Sequence, residues 1–276
     1  MTNNDKVLEI VNRFSNLGNN VLIDYDKMGN FCDFLLNNKR DIFEIPNLSV
    51  NELKSAILEP LINASLQYCF WYGESSYRPF DNHSGKMDGF IVGNDNINSF
   101  NDLRKEIRKS RFVMIEERMR TIDELDNPDK LQEFLNVVYD TRDVHKVLDF
   151  IVENYDCYSD DLFLKKAYLC LGMIHQRTGI FTNPEEIFVP VDYQIPKILN
   201  HFKVTAYKSD LENDIRNNIL IPKNSMKEIE IRACAMKVVQ KASEITGINQ
   251  FDIDQILFLQ KGKFTNKHHL TYTTAY

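Results

Sequence analysis

Glycine and proline are scarce in this 276-residue chain, 10 and 8 residues respectively, against an average combined usage of roughly 12%. A glycine-rich dinucleotide fold, a repetitive hairpin protein and a collagen-like chain are all disfavoured by that shortage. Cysteine is also sparse: Cys32, Cys69, Cys157, Cys170 and Cys234 are odd in number, widely spaced and without a C-x-x-C pair. Neither a disulfide framework nor a zinc knuckle fits such spacing, and a reducing compartment is expected. No run of about 18 apolar residues occurs, so no membrane span is expected. The first residues carry acids early and no apolar stretch with a cleavage site, so no signal peptide is expected either. Phosphate-binding glycine loops, HExxH, GxSxG and the protein-kinase signatures are missing as well, which removes most common enzyme classes. The surplus of positive charge typical of histone-like nucleic-acid binders is lacking too, since the net charge is −7.

What is present is an ordinary globular composition, 43% hydrophobic and 26% charged, large enough for one sizeable core. Helical periodicity dominates. Ser49 with Glu52 forms a capping box ahead of an apolar stripe through Leu53, Ile57, Leu61, Ala64 and Tyr68. Pro60 is expected to kink or restart that helix. Ser99 with Asp102 opens a second candidate, whose apolar positions break at a basic stretch, so one helix or two can form. Further helices are expected at about 129–139, 143–155 and 160–178, the last stopped by Gly179. Asn183-Pro184-Glu185-Glu186 reads as a short helical start. Another helix begins near Tyr193 or Pro196, and Ser225 with Glu228 caps a long one that Gly247 ends. Strand signals are poor, with GFIVG at 89–93 the best of them. The expectation is an all-α, multi-helix single domain over 1–276, with residues 1–48 a helical extension and 49–276 the catalytic core.

Several segments can carry chemistry. YCFWYGESSYRP at 68–79 places Phe70, Trp71 and Tyr72 at a helix end with Arg78 nearby; aromatic faces stack bases and a guanidinium binds phosphate. The same aromatics can equally be core anchors. Asp192, in PVDYQIPKIL, is either the N-cap of the next helix or a carboxylate that stabilises a developing cation or takes a proton. Lys165 and Lys166 in FLKKAYL face different sides of a helix, one able to point inward while the other stays in water. Arg232 lies near the apolar stripe of Ile229, Ala233 and Met236. It either snorkels at the edge of the core or is buried with a partner such as Asp254. The basic stretch 104–120 is either a solvated face or a phosphate-backbone contact. The terminal LQKGKFTNKHHLTYTTAY turns basic and is expected to be loose; adjacent His268 and His269 have poor metal spacing, and no metal site follows.

In order along the chain, YCFW, MIEERMR, FLKKA, VDYQIPKILNHF, IPKNSMKEIEIRA, DIDQILF and HHLTYTTAY resemble the segments of the queuosine salvage nucleosidases and their helical relatives. That family is similar to helix-hairpin-helix DNA glycosylases, which implies the same all-α architecture. The resemblance implies that Asp192 is the catalytic carboxylate and Lys165 a lysine at the reacting centre. It places Trp71, Tyr193 and Asp254 in a pocket around a base, and Phe70, Tyr72, Arg78, Lys197, Arg232, His269 and Tyr272 complete the candidate substrate-binding residues. SYRPFDNHSGKMDGFIVG departs from the family by being shorter than the segment that encloses the modified base. The departure resembles a phage branch of thymidine hypermodification, the amino acid:DNA transferases. The reading taken first is therefore transfer of an amino acid or polyamine onto 5-(pyrophosphoryloxymethyl)uracil in DNA with release of pyrophosphate. Its partners are a modified nucleotide in DNA and a small amine. The alternative is an N-glycosidase that releases queuine from free queuosine or its 5′-phosphate, and the third reading is a non-catalytic module that grips a modified nucleotide. None needs a cofactor, a metal or a membrane, and a cytoplasmic location is expected, the host's if phage-encoded.

Overall fold

The computed structural model describes residues 1–39, 47–72, 78–79, 99–110 and 112–276, with the side chains of 71–72 and 78–79 excepted. Among these residues are thirteen helices: α1 (Asn3–Phe14), α2 (Met28–Asn38), α3 (Val50–Ser65), α4 (Phe100–Lys109), α5 (Ile115–Leu125), α6 (Pro128–Thr141), α7 (Val144–Asn154), α8 (Asp156–Ser159), α9 (Lys165–Thr178), α10 (Gln194–His201), α11 (Ser209–Arg216), α12 (Met226–Thr246) and α13 (Gln250–Gln260). Four very short strands accompany them, β1 (Val21–Ile23), β2 (Trp71–Tyr72), β3 (Arg78–Pro79) and β4 (Thr205–Tyr207). The all-α expectation holds. None of these helices is long and apolar enough to cross a membrane.

Local chemistry sets most boundaries. The Ser49–Glu52 box closes at the start of α3, with the Ser49 N–H donating to Glu52 Oε2 at 2.8 Å. Pro60 neither ends nor restarts α3, which runs through it as one element. The second candidate helix resolves into two, α4 and α5, separated where Met114 takes a left-handed φ of 58°. Asn127 caps α6 and Asp143 caps α7. The helix expected over 160–178 begins only at Lys165, because Leu164 sits at φ 50° and Asp156–Ser159 forms a separate turn. Gly179 and Gly247, at φ 61° and 67°, end α9 and α12 in the left-handed region where glycine has no Cβ penalty. Pro184–Glu186 is a single 3-10 turn.

The small sheet formed by β1 and β4 was not visible in the sequence. It pairs Val21 with Tyr207 and Ile23 with Thr205 in antiparallel register, and Glu230 of α12 ties it down by accepting from the N–H groups of Asn20 (2.9 Å) and Val21 (3.0 Å). The β2–β3 pair aligns Trp71 with Pro79. The GFIVG segment lies outside the described residues.

Helix α9 runs through the middle of the core, with Ala167, Tyr168, Cys170, Leu171 and Ile174 all buried against residues of α3, α7, α12 and α13. Close approach of α13 depends on Gly172: a Cβ there would stand 2.1 Å from Phe251 Cε2. Helix α12 is buried around most of its circumference, which is why its sequence shows no single apolar stripe. Val7, Val11, Phe31 and Leu35 of α1 and α2 enter the same core.

The C-terminal segment is not loose. His269, Thr271, Thr273, Ala275 and Tyr276 are buried, the Ile221 N–H donates to the Leu270 carbonyl at 2.8 Å, and the Cys69 N–H donates to the Tyr276 carbonyl at 2.9 Å. Thr273 Oγ1 accepts the Ala275 N–H at 3.0 Å within the segment, and the apolar positions pack on Tyr68, Cys69 and Tyr193.

Candidate functional site

A cavity of about 680 Å³ opens between α3, α9, α10 and α13, and its walls include Gln67, Phe70, Lys165, Asp192, Tyr193, Asp254 and Tyr276. Each chemically capable side chain is delivered by a specific local device. Lys165 is the first residue of α9, launched by the left-handed turn at Leu164. Its N–H donates to Asp161 Oδ2 at 2.8 Å, and its ammonium donates to the Gln67 carbonyl at 2.7 Å. Asp192 is not the N-cap of α10, a place taken by Tyr193; one residue earlier, its Oδ1 accepts the Gln194 N–H at 2.6 Å across the turn into the helix. That bond occupies one oxygen of a carboxylate that still faces the cavity. Asp254 projects from α13 beside Gln255, which donates to it at 3.0 Å.

The three charges act on one another. Burial pushes the Lys165 ammonium down to about 8, against the opposing pull of Asp192 and Asp254. Burial, reinforced by the Asp192 carboxylate, raises Asp254 to about 7, with Lys165 opposing. A carboxyl and an ammonium that both titrate near neutrality, in a cleft, mark a place where protons can be moved.

The rest of the lining is apolar with a few polar points. Phe70 and Tyr193 contribute aromatic rings, the latter packed on His268 with ring centroids 4.5 Å apart, and Leu169, Met173, Ile195 and Leu257 are also in the lining. Gln176 Nε2 and Gln194 Oε1, on two lining residues, have no hydrogen-bond partner among the described residues. Arg177 also reaches the cavity, held by Glu59 at 2.7 Å. Lys261 lies at the rim over the Phe258 ring, 3.8 Å from its centroid.

Of the residues singled out from sequence, the structure thus brings Asp192, Lys165, Asp254, Tyr193 and Phe70 to one cavity. Trp71, Tyr72 and Arg78 lie just beyond on β2 and β3, and their side chains fall outside the described part, as do residues 73–77. Lys197, Arg232, His269 and Tyr272 do not line the cavity. Lys197 is buried behind Asp192, and burial lowers its ammonium. His269 is buried against Tyr276, its Nε2 3.3 Å from the Tyr276 hydroxyl. Tyr272 is 42% exposed, and the tail places Tyr276 rather than Tyr272 in the wall.

Two side-chain expectations are corrected. Lys166 is not in water: it is 1% exposed, 3.3 Å from Asp160, so both lysines of the pair are buried. Arg232 does not snorkel, and its partner is not Asp254. It is 1% exposed and forms a bidentate pair with Asp161, both bonds 2.7 Å. The basic stretch 104–120 pairs largely with its own acids, as in Arg104 with Asp123 and Asp126 at 2.8 Å each. Among the described basic residues of the stretch Arg118 alone is buried, 4.0 Å from the Tyr68 ring centroid and donating to the Leu66 and Tyr68 carbonyls at 2.6 Å. Arg111 lies outside the described residues.

Gln67, Gln176, Arg177, Gln194, Lys261 and Tyr276 were missed from sequence. Only Tyr276 had a usable signal, being in the same tail motif as His269 and Tyr272. No group of three or more His, Cys, Asp or Glu among the described residues is arranged to hold a metal ion.

Comparison with known proteins bears on this site directly. Two curated relatives, each named queuosine 5′-phosphate N-glycosylase/hydrolase, match at 30% identity. That of Dictyostelium discoideum aligns over 127 residues, 41% of this chain and 40% of its own length. That of Schizosaccharomyces pombe aligns over 122 residues, 42% of this chain and 32% of its own length. The chain therefore matches well under half the length of either relative. A family model described as queuosine salvage protein matches residues 93–273, a span that includes Lys165, Asp192, Tyr193 and Asp254. Matched over nearly two thirds of its length, with these cavity residues inside the match, the chain belongs to the queuosine salvage protein family.

Proposed function

We propose that this protein hydrolyses the N-glycosidic bond of queuosine 5′-phosphate, releasing the free base queuine and a sugar phosphate. The observation that carries the reading is the convergence of Asp192, Asp254 and Lys165 on one largely apolar cavity. Breaking a bond between a sugar carbon and a base nitrogen places positive charge on the sugar and negative charge on the departing base. Asp192 faces the first of these, stabilising the cation and orienting the attacking water; as the water oxygen bonds to the sugar carbon, its released proton is taken by the Asp192 carboxylate, and the bond to the base nitrogen breaks. Asp254, held near neutrality by burial and by Asp192, is suited to give the proton that the leaving base needs. Lys165 stands between the two carboxylates in charge terms, since each favours its charged form. Phe70 and Tyr193 supply aromatic surface for a base, within a lining that is otherwise largely apolar.

The names of both relatives and of the family support this N-glycosidase reading over transfer of an amine to pyrophosphorylated hydroxymethyluracil in DNA. The feature that pointed to the transferase, the segment from Gly73 through Arg78 to residue 93, lies almost wholly outside the described residues. Mass spectrometry separates the readings. The purified protein is incubated with queuosine 5′-phosphate and, separately, with pyrophosphorylated hydroxymethyluracil DNA plus an amino acid mixture. Free queuine is the expected product. An amine-bearing thymidine with released pyrophosphate would establish the transferase instead, and no turnover of either substrate would leave a binding module.

A further inference from the structure

Arg232 is the most heavily engaged side chain behind the cavity, and every partner it has leads to a different wall. Its Nε donates to the Val191 carbonyl at 3.2 Å, one residue before Asp192. Its two terminal nitrogens donate to Asp161 Oδ1 and Oδ2, both at 2.7 Å. Those same oxygens accept the N–H groups of Phe163 (3.1 Å) and Lys165 (2.8 Å), which fixes the left-handed turn at Leu164 and hence the start of α9. Glu228 of α12 accepts from Nη1 at 3.1 Å and holds the guanidinium from its own helix. The guanidinium carbon stands 4.1 Å from the ring centroid of Tyr276, which lines the cavity, and 4.5 Å from that of Phe163. Three segments remote in sequence, at 161–165, 191–192 and 276, are thus joined through one planar fork.

We propose that Arg232 is the positioning residue of this site, a clamp that holds Asp192, Lys165 and Tyr276 in mutual register without touching the substrate. The proposal rests on the N-glycosidase reading for its kinetic consequence, while the placement of Lys165 can be read without any substrate. A fork is required because Asp161 and the Val191 carbonyl are bound together, in a plane, by separate N–H groups. A lysine in its place supplies the charge but only a point donor. A misplacement on the order of 1 Å at the reacting groups is worth about a hundredfold in rate.

The test compares wild type with R232K and, should R232K not fold, with Asp161→Asn, which keeps an acceptor for the Lys165 N–H but weakens the fork. Folding is monitored by circular dichroism, kinetics by release of queuine from queuosine 5′-phosphate, and Lys165 by peptide-resolved acetic anhydride labelling across pH. In wild type the labelling midpoint of Lys165 is expected at about 8. In folded R232K, kcat is expected to fall about a hundredfold with KM changed by less than about threefold, and the Lys165 midpoint to move by about one pH unit. Folded R232K with kcat within about twofold of wild type and an unmoved midpoint would overturn the proposal, leaving Arg232 a stabilising residue only. If wild type releases no queuine, the functional reading fails by itself. The labelling midpoint then decides the clamp alone, a shift supporting it and an unmoved value refuting it.

Discussion

Replacing Asp192 separates its two jobs, because its hydrogen bond across the turn into α10 and its charge can be removed independently. Oδ1 accepts the Gln194 N–H at 2.6 Å; asparagine preserves an acceptor there, while alanine deletes it. Loss of such a hydrogen bond costs about 1 kcal/mol, which in a chain of this size lowers Tm by about 2–4 °C. Asp192→Ala is therefore expected to melt a few degrees early and Asp192→Asn within about 1 °C of wild type. The charge matters at the reacting sugar. A carboxylate about 4 Å from a developing unit cation, in the partly buried setting of this cavity, stabilises it by about 4 kcal/mol, equivalent to roughly a thousandfold in rate. Both variants are expected to lose kcat to that extent although only one loses stability. Removing the charge also lowers the proton affinity of its neighbours, since Asp192 now raises both Asp254 and Lys165. Initial rates of queuine release, with scanning calorimetry on the same preparations, measure the two effects side by side. Asp192→Asn retaining more than about a tenth of wild-type kcat would refute the catalytic assignment. Equal Tm losses in the two variants would refute the division between hydrogen bond and charge.

Asp254 gives a pH-dependent prediction. Its carboxyl is raised from an ordinary 3.8 to about 7 in the folded protein, so the folded state favours the protonated form. That stabilisation is fully present below about pH 4 and lost as pH rises through 7, the full difference being at most about 4 kcal/mol before cavity water screens part of it. Asp254→Asn should therefore be more stable than wild type in urea at pH 8 and equal to it near pH 4, whereas a pH-independent difference would contradict the raised carboxyl. In wild type, kcat/KM for queuine release should fall as pH rises through about 7, and a profile flat from pH 6 to 9 would remove Asp254 as the proton donor. Gly172→Ala places a Cβ 2.1 Å from the Phe251 ring and should cost about 1–3 kcal/mol through overpacking. Pairing it with Phe251→Leu should recover part of the loss, and a fully additive double variant would mean that the contact is not what matters. Tyr276→Ala, which empties a buried site in the tail, should cost about 3–5 kcal/mol; a Tm close to wild type would show the tail to be loose after all.

The features legible in the sequence are those whose chemistry is local. The capping box at Ser49, the N-cap at Ser225 and the glycines at 179 and 247 all act within one helical turn, so spacing alone places them. Three-residue strands are too short to show a period, and β1 finds its partner β4 some 180 residues away, so the sheet has no local signature. The site divides along the same line. Asp192, Lys165 and Asp254 could be singled out by residue type and by resemblance, because groups that do chemistry must be of a few kinds. Whether Lys166 is solvated, or what pairs with Arg232, depends on Asp160 and Asp161 in a turn that periodicity misread as helix. A buried arginine looks like a surface one until its acceptors are known, and here they come from residues 71 and 41 positions upstream in sequence. Composition misleads in the same way about the tail, where lysines, histidines and threonines read as a solvated end, yet His269, Leu270, Thr271, Thr273, Ala275 and Tyr276 are buried. The reacting groups are thus written in residue identity, while the groups that hold them still are written in contacts across the fold, where single-sequence reasoning has the least purchase.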